Sequence, residues 1–310
     1  MEVLFLQSSV VKLRIDQLVQ KVFLLVALLS ASSIVFIVGF IFIRGIKPFV
    51  QPYQTEDGML FTASLSVFLT STTWVSNHYG ALGILINTVY LVFIAAVISF
   101  VISVLTALFI VRIAPVFLKT ILKSIVELLA AIPSIVFGLF GMGVICPLVR
   151  DLATVFGVQT MGGSSGLSTV LVLIMMMIPT ITMICITAIN AVKKTQIEAS
   201  LALGATKAQT DFKIVLGGAK SGLFTGLILG VGRALGEATA VSMVCGNPME
   251  GPVFDLFATT RTLTSTMMLG LHETSGVDYD IRFSVGVLLI GLIVVTNIGL
   301  QRIKRRMERR

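Results

Sequence analysis

Arg233 and Glu237 stand four residues apart within Gly222 to Cys245, GLFTGLILGVGRALGEATAVSMVC, a stretch that is otherwise apolar. About 20 apolar residues at ~1.5 Å each cross the hydrocarbon of a bilayer, so this stretch is long enough to span it as one helix. A charge at mid-membrane costs roughly 2.5–3.5 kcal/mol on insertion scales. The i,i+4 spacing puts both residues on one helical face, where they can pair. Two uses remain open: the pair lines a path for something charged, or it is a structural ion pair between helices. Intramembrane ionisable groups usually face a cavity or a pathway, which favours the first.

The glycines around the pair carry a second pattern. Gly222, Gly226 and Gly230 recur every four residues, and Gly232 and Gly236 repeat that spacing. Small residues at this interval let another helix approach closely. Continuing by threes and fours gives Gly226, Gly230, Arg233, Glu237 and Ala240. The charged pair therefore shares the face of the smallest residues, and that face is predicted to be a helix–helix seam near the axis of an assembly.

These residues need a membrane scaffold, and the composition provides one. Of 310 residues, 56% are hydrophobic and only 12% charged, with mean hydropathy +1.01. Soluble domains carry about 25% charge. The fold class predicted is an all-α integral membrane protein. Cys146, Cys185 and Cys245 fall in or beside apolar segments without CxxC spacing and read as buried hydrophobes, with no metal site implied. His78 and His272 lie alone in separate loops.

Six spans are predicted, at roughly 22–43, 86–111, 126–148, 167–190, 222–245 and 283–300. The first run resembles a secretory signal around Ser30-Ala31-Ser32, but it continues too far beyond Ser32 and reads as an uncleaved anchor. Residues 1–21, with Leu13, Leu18, Lys12, Arg14, Asp16 and Lys21, suit an amphipathic helix on the membrane surface. Residues 22–300 form the membrane domain, with polar loops at 44–85 and 246–282 on one side and a loop at 193–221 on the other. A basic tail, 301–310, follows. With a cytoplasmic N-terminus, 17 Lys and Arg fall inside and 5 outside, with Arg233 between them. The positive excess marks the cytoplasmic side, so both termini are placed there. The tail RIKRRMERR then anchors topology beside anionic lipid, and a nucleic-acid partner is not implied.

Pro133 interrupts the third span and Pro179 the fourth. A membrane proline frees backbone carbonyls that face a wet cavity or are satisfied by a neighbour. Ser134 beside Pro133, and Thr239 near the charged pair, are path candidates, with plain packing as the alternative. Lys123 and Glu127 are spaced for a structural i,i+4 pair.

The 193–221 loop reads KKTQIEASLALGATKAQTDFKIVLGGAKS. Ile197, Leu201, Leu203 and Ile214 would be needlessly exposed unless something docks there. This segment resembles the EAA loop of ABC importer permeases, whose pattern is Glu-Ala-Ala, three residues, Gly, nine residues, then Ile-x-Leu-Pro. Glu198, Ala199, Ser200, Gly204, Ile214 and Leu216 match it, while Ser200 replaces an alanine and Gly217 the proline. The resemblance implies a type I importer architecture in which Glu198 to Gly204 seat in a groove of an ATPase subunit. The chain itself has no GxxxxGK[ST], so it would bind no cofactor and would draw on ATP hydrolysed by that partner.

A narrower resemblance covers most of the chain. Gly232-Arg233-Ala234-Leu235-Gly236-Glu237-Ala238 is similar to the fifth helix of phosphate-importer permeases, and Glu127 to Gly138, ELLAAIPSIVFG, to their third. The stretch ending Trp74 to Gly83, and Arg261-Thr262-Leu263-Thr264 after Gly246-Asn247, resemble the C-type member (PstC) of the permease pair. Beyond that string, Met249 to Arg282 matches less well. This implies a prokaryotic plasma membrane, a second related permease (PstA-type) or another copy of this chain, two ATPase subunits and an extracytoplasmic phosphate-binding protein.

Phosphate chemistry suits Arg233, because guanidinium is a permanently charged fork that holds two oxygens at once. Glu237 would repel the anion and needs a role. In one hypothesis it neutralises Arg233 when the path is empty. In the other it accepts the proton on phosphate that sulfate lacks, which is a strong basis for discrimination. The family places selectivity mainly in the binding protein. A permease for sulfate or molybdate is the alternative, and an ATP-independent carrier a more distant one. No nucleophile–base or metal constellation supports an enzyme.

Overall fold

A computed structural model describes residues 2–54 and 60–308, with side chains from residue 16 onward. Glu56, Asp57, Arg309 and Arg310 lie outside the described residues, as do the side chains of Lys12, Leu13 and Arg14. The helices are α1 (Glu2–Val50), α2 (Leu65–Thr70), α3 (Leu82–Leu108), α4 (Val116–Ala131), α5 (Ser134–Phe140), α6 (Cys146–Val155), α7 (Gly166–Asn190), α8 (Lys194–Ala202), α9 (Lys207–Gln209), α10 (Leu216–Leu235), α11 (Thr239–Val244), α12 (Leu263–Met268) and α13 (Gly276–Glu308). Two short antiparallel hairpins sit between α1 and α3: β1 (Tyr53–Gln54) with β2 (Leu60–Phe61), and β3 (Trp74–Val75) with β4 (His78–Tyr79). Six helical stretches among the described residues are long and apolar enough to cross a membrane: Asp16–Val50, Leu82–Ile113, Ser134–Val155, Gly166–Asn190, Lys207–Leu235 and Gly276–Glu308.

Three are longer than the sequence predicts, and two, the third and the fifth, are displaced. α1 runs without a break through residues 21 and 22, so the segment predicted as a separate amphipathic helix continues into the first span as one helix. The third span begins at Ser134 rather than 126, because Ile132, the residue before Pro133, is held in extended backbone and α4 stops at Ala131. The sixth begins at Gly276, well before 283, despite its charges. Asp280 is neutralised by Arg44 at 2.9 Å and Lys47 at 3.4 Å and accepts from the Tyr53 hydroxyl at 2.7 Å, and Arg282 donates to the carbonyls of Thr266, Leu269 and Asp278. Paired in this way, charged residues that read as a loop are compatible with a helix start. The fifth is shorter at its far end, as described below.

α7 is the most enclosed span and α1 the least. Leu173, Met177, Ile181 and Cys185 of α7 pack with Leu91 and Ala95 of α3 and with Leu223 and Val231 of α10 to form the main core. The helix carries Pro179 without ending. α1 joins α13 near its end, where Ser284 Oγ donates to the Gly45 carbonyl at 2.6 Å and Phe40 meets Phe283 edge-on. Six alternating spans put both ends of the chain and the 191–206 connection at one end of the bundle. Lys304 reaching Thr225, and Ser221 reaching Glu308, bind that end together. The opposite end is a cap built from the two hairpins, α2, the 246–275 segment and α12. Trp74, Tyr79, Leu263, Ile281 and Val285 form its core. All three cysteines are buried thiols.

Candidate substrate path and coupling surface

The stretch that reads as one helix from Gly222 to Cys245 is broken. α10 ends at Leu235, Gly236 to Ala238 form a turn, and α11 resumes at Thr239. The break removes the i,i+4 phase, and Arg233 and Glu237 form no ion pair. Arg233 is half-buried and its Nη1 donates to Thr180 Oγ1 on α7 at 2.8 Å. Glu237 is 8% exposed, and its Oε1 accepts from the Ala240 amide at 3.0 Å, satisfying a free donor in the first turn of α11. Its backbone carbonyl accepts from Thr264 Oγ1 at 2.7 Å, tying the turn to α12. The hypothesis that Glu237 neutralises Arg233 in the empty path therefore has no geometric support in this conformation.

The glycine stripe lies on the seam between α10 and α7, inside the chain. A Cβ on Gly222 would collide with Ala188, and one on Gly230 would stand 2.6 Å from Ile181 Cγ1, both on α7. Gly226 faces the Ile181 carbonyl and Cys185 on the same helix. Gly232 has open space, and Gly236 is exposed and meets only its own helix. Close approach of α10 to α7 brings Arg233 within reach of Thr180, a residue the sequence reading passed over although it adjoins Pro179.

The two other path candidates begin helices that follow breaks. Ser134 opens α5 directly after Pro133 and is half-buried. Thr239 opens α11, also half-buried, with its Oγ1 3.9 Å from Met268 Sδ. α5 and α11 pack side by side. A Cβ on Gly138 would lie 2.6 Å from Met243 Sδ and 3.0 Å from Ala240 Cα, and one on Gly141 would lie 2.7 Å from Val244. Two interrupted helices thus run together beyond Arg233, as in membrane proteins whose broken helices flank a solute site.

At the other end, α8 holds Glu198, Ala199 and Ser200 and stops at Leu203, with Gly204 in left-handed backbone (φ +84°). Thr206 caps the next helix, its Oγ1 accepting from Gln209 N and its own amide donating to Gln209 Oε1. From Lys207 the chain is helical through to Leu235, with a π-helical stretch at Thr210–Val215. The loop therefore ends near Thr206 rather than Ser221. Ile214, Leu216 and Gly217 lie within the helix, and Gly217 closes nothing. Leu203 is 89% exposed and Leu201 is also exposed, so α8 presents apolar side chains to the outside. Behind it, Ser200 Oγ meets Thr210 Oγ1 at 2.9 Å, and Arg112 Nε binds Asp211 Oδ1 at 2.7 Å. Lys123 and Glu127 pair at 3.6 Å on the exposed face of α4. No group of three potential metal ligands occurs among the described residues.

Two cations whose burial no sequence pattern signals lie in the cap. Arg261 and Arg282 are 6% and 9% exposed. Burial first, and then the neighbouring charge of Arg282, weaken the hold of Arg261 on its proton.

Comparison with known proteins fits this arrangement. The chain is 33% identical over 274 residues to the probable ABC transporter permease protein YqgH of Bacillus subtilis, covering 85% of this chain and 82% of that one. It is 31% identical to the phosphate transport system permease protein PstC of Pasteurella multocida, covering 74% and 76%. It is 29% identical to the probable PstC of Methanocaldococcus jannaschii, covering 88% and 89%. Among solved structures, a chain of a bacterial ABC transporter involved in alginate import superposes with TM-score 0.60 at 16% identity, covering 94% and 99%. A chain of the MetNI methionine ABC transporter, inward facing, gives TM-score 0.54 at 19% identity over 73% and 94%. The model of binding-protein-dependent transport system inner membrane components matches residues 82–310, from the start of α3 through the broken fifth span and the exposed α8. With six spanning helices and relatives of this kind, the chain is a multi-pass plasma-membrane protein and belongs to the family of binding-protein-dependent transport system inner membrane components.

Proposed function

We propose that this chain is the permease subunit of an ATP-driven ABC importer for inorganic phosphate, forming half of the translocation path. The observation that carries this reading is Arg233. It is a half-buried guanidinium at the end of a spanning helix whose side-chain partner is a neutral threonine and which has no carboxylate within 4.0 Å among the described residues. A permanent cation with donors to spare attracts an oxyanion and holds it by hydrogen bonds rather than by a rigid cage. The names of the PstC relatives support phosphate as that oxyanion.

The exposed α8, with Glu198 to Gly204, is the surface that takes the ATPase. Ile214 and Leu216 pass its movement into the fifth span. Hydrolysis belongs to the ATPase pair, and the chain is a transport component rather than an enzyme. The other half of the path comes from a related PstA-type permease, and the cap receives the phosphate-binding protein. The charge bias places α8 and both termini in the cytoplasm and the cap outside.

Labelled-phosphate uptake tests this in cells lacking the chain, with the unmodified protein or Arg233→Ala restored and excess sulfate present. Uptake restored only by the unmodified chain and indifferent to sulfate is the expected result, with assembly of the variant confirmed by co-purification of the ATPase. Restoration by both makes Arg233 dispensable. Restoration by neither moves the reading to sulfate or molybdate, to be fed to the same cells.

A further inference from the structure

The cap buries two guanidinium groups, and they are satisfied very differently. Arg282 spends its donors on backbone carbonyls, at 2.8 Å to Thr266, 3.1 Å to Asp278, and to Leu269. Arg261 does not. Its Nε is buried with no hydrogen-bond partner, its Nη1 reaches only the Pro248 carbonyl at a long 3.4 Å, and its guanidinium carbon stands 5.9 Å from the centre of the Trp74 ring. Thr260 Oγ1, on the preceding residue, is also buried without a partner. Neither arginine has a carboxylate within 4.0 Å among the described residues.

A buried cation with unmade donors is costly, and the neighbouring charge of Arg282, itself faced by Asp278 and Glu273, adds to that cost at Arg261. An anion on Arg261 offsets both costs. The free donors of a planar fork, reinforced by a second positive charge, select an anion with several acceptor oxygens over a simple halide. Trp74 flanks the guanidinium.

We propose that Arg261, backed by Arg282, forms an anion subsite in the cap that takes a tetrahedral oxyanion of the phosphate class, separate from Arg233. The subsite rests on the oxyanion reading of the solute and adds a station at the cap end of the path.

Trp74 is the single tryptophan of the chain and lies against Arg261, so it reports on the site. The purified full chain in detergent is titrated with inorganic phosphate, and separately with sulfate, while tryptophan fluorescence is read. A saturable change is expected in the unmodified chain and in Arg233→Ala, with affinity weakened ~tenfold or more in Arg261→Gln. If Arg261→Gln fails to fold, Arg261→Lys keeps the charge, drops the fork and is expected to weaken binding likewise. No saturable change with either anion overturns the subsite, as does an affinity unaltered in the Arg261 variant that folds. A response to sulfate but not phosphate supports the subsite and counts against phosphate as the solute. A silent titration beside normal phosphate uptake overturns the subsite and leaves the importer reading standing.

Discussion

Arg233 Nη1 lies 2.8 Å from Thr180 Oγ1, and this bond crosses the seam where glycines bring α10 against α7. The hydroxyl is a neutral partner, so it orients the guanidinium without cancelling its charge. Thr180→Val keeps the shape and removes the bond. Uptake is expected to fall about five- to tenfold with assembly intact, the factor that one net hydrogen bond supplies. Uptake by Thr180→Val at the level of the unmodified chain would show that the bond does not position Arg233 for transport.

Glu237 accepts from the Ala240 amide rather than from Arg233. Glu237→Gln retains an acceptor oxygen and should leave thermal stability nearly unchanged, whereas Glu237→Ala should cost about 1 kcal/mol as a lost cap. Melting of the purified chain checks this. Uptake adds a second readout: a fall in preference for phosphate over sulfate in Glu237→Gln, at unchanged stability, would assign the carboxylate to proton recognition. An unchanged preference would leave it the structural role alone.

Glycines of the stripe are expected to differ in sign. Gly222→Ala drives a methyl into Ala188 and should destabilise by about 1–3 kcal/mol. Gly232→Ala meets nothing within 4 Å and should gain up to about 1 kcal/mol from helix propensity. Equal melting temperatures for the two variants would contradict the seam.

Arg112 and Asp211 link the π-helical turn that ends α3 with the one that leads into α10. Asp211 is buried, so Arg112→Ala strands its charge and should destabilise by up to about 3 kcal/mol. Arg112→Ala with Asp211→Ala should recover much of that loss. Because the pair stands directly behind α8, ATP hydrolysis by the assembled complex should become less responsive to the solute-loaded binding protein in the single variant.

Tyr79 donates to Asp278 at 2.6 Å within the cap. Burial first and that bond second push its ionisation well above its usual 10. The folded protein therefore keeps a proton that the unfolded chain releases near pH 10. Its contribution is full below that value and is lost as pH rises above it. Melting between about pH 9 and about pH 11 should show a steeper decline for the unmodified protein than for Tyr79→Phe.

The sequence by itself determined the membrane class, the six apolar spans, the break at Pro133 and the exposed apolar segment around Glu198. Each depends on local composition or on one residue's backbone, and needs no knowledge of neighbours. Only the tertiary structure decided the partners of the charges. Arg233 and Glu237 share a face in any continuous helix, and the turn at Gly236 to Ala238 that separates them is stabilised by Thr264, distant in the chain. Asp278, Asp280 and Arg282 look like loop residues until Tyr79, Arg44, Tyr53 and the Thr266 carbonyl meet them. The glycine stripe announced a close approach but not to which helix, because spacing fixes a face and packing alone chooses what covers it. Arg261 stood out in the sequence only as part of a family-like string, not as a buried cation. Burial of a side chain is set by everything folded over it, here Trp74 and the 246–250 segment, and no local pattern carries that information.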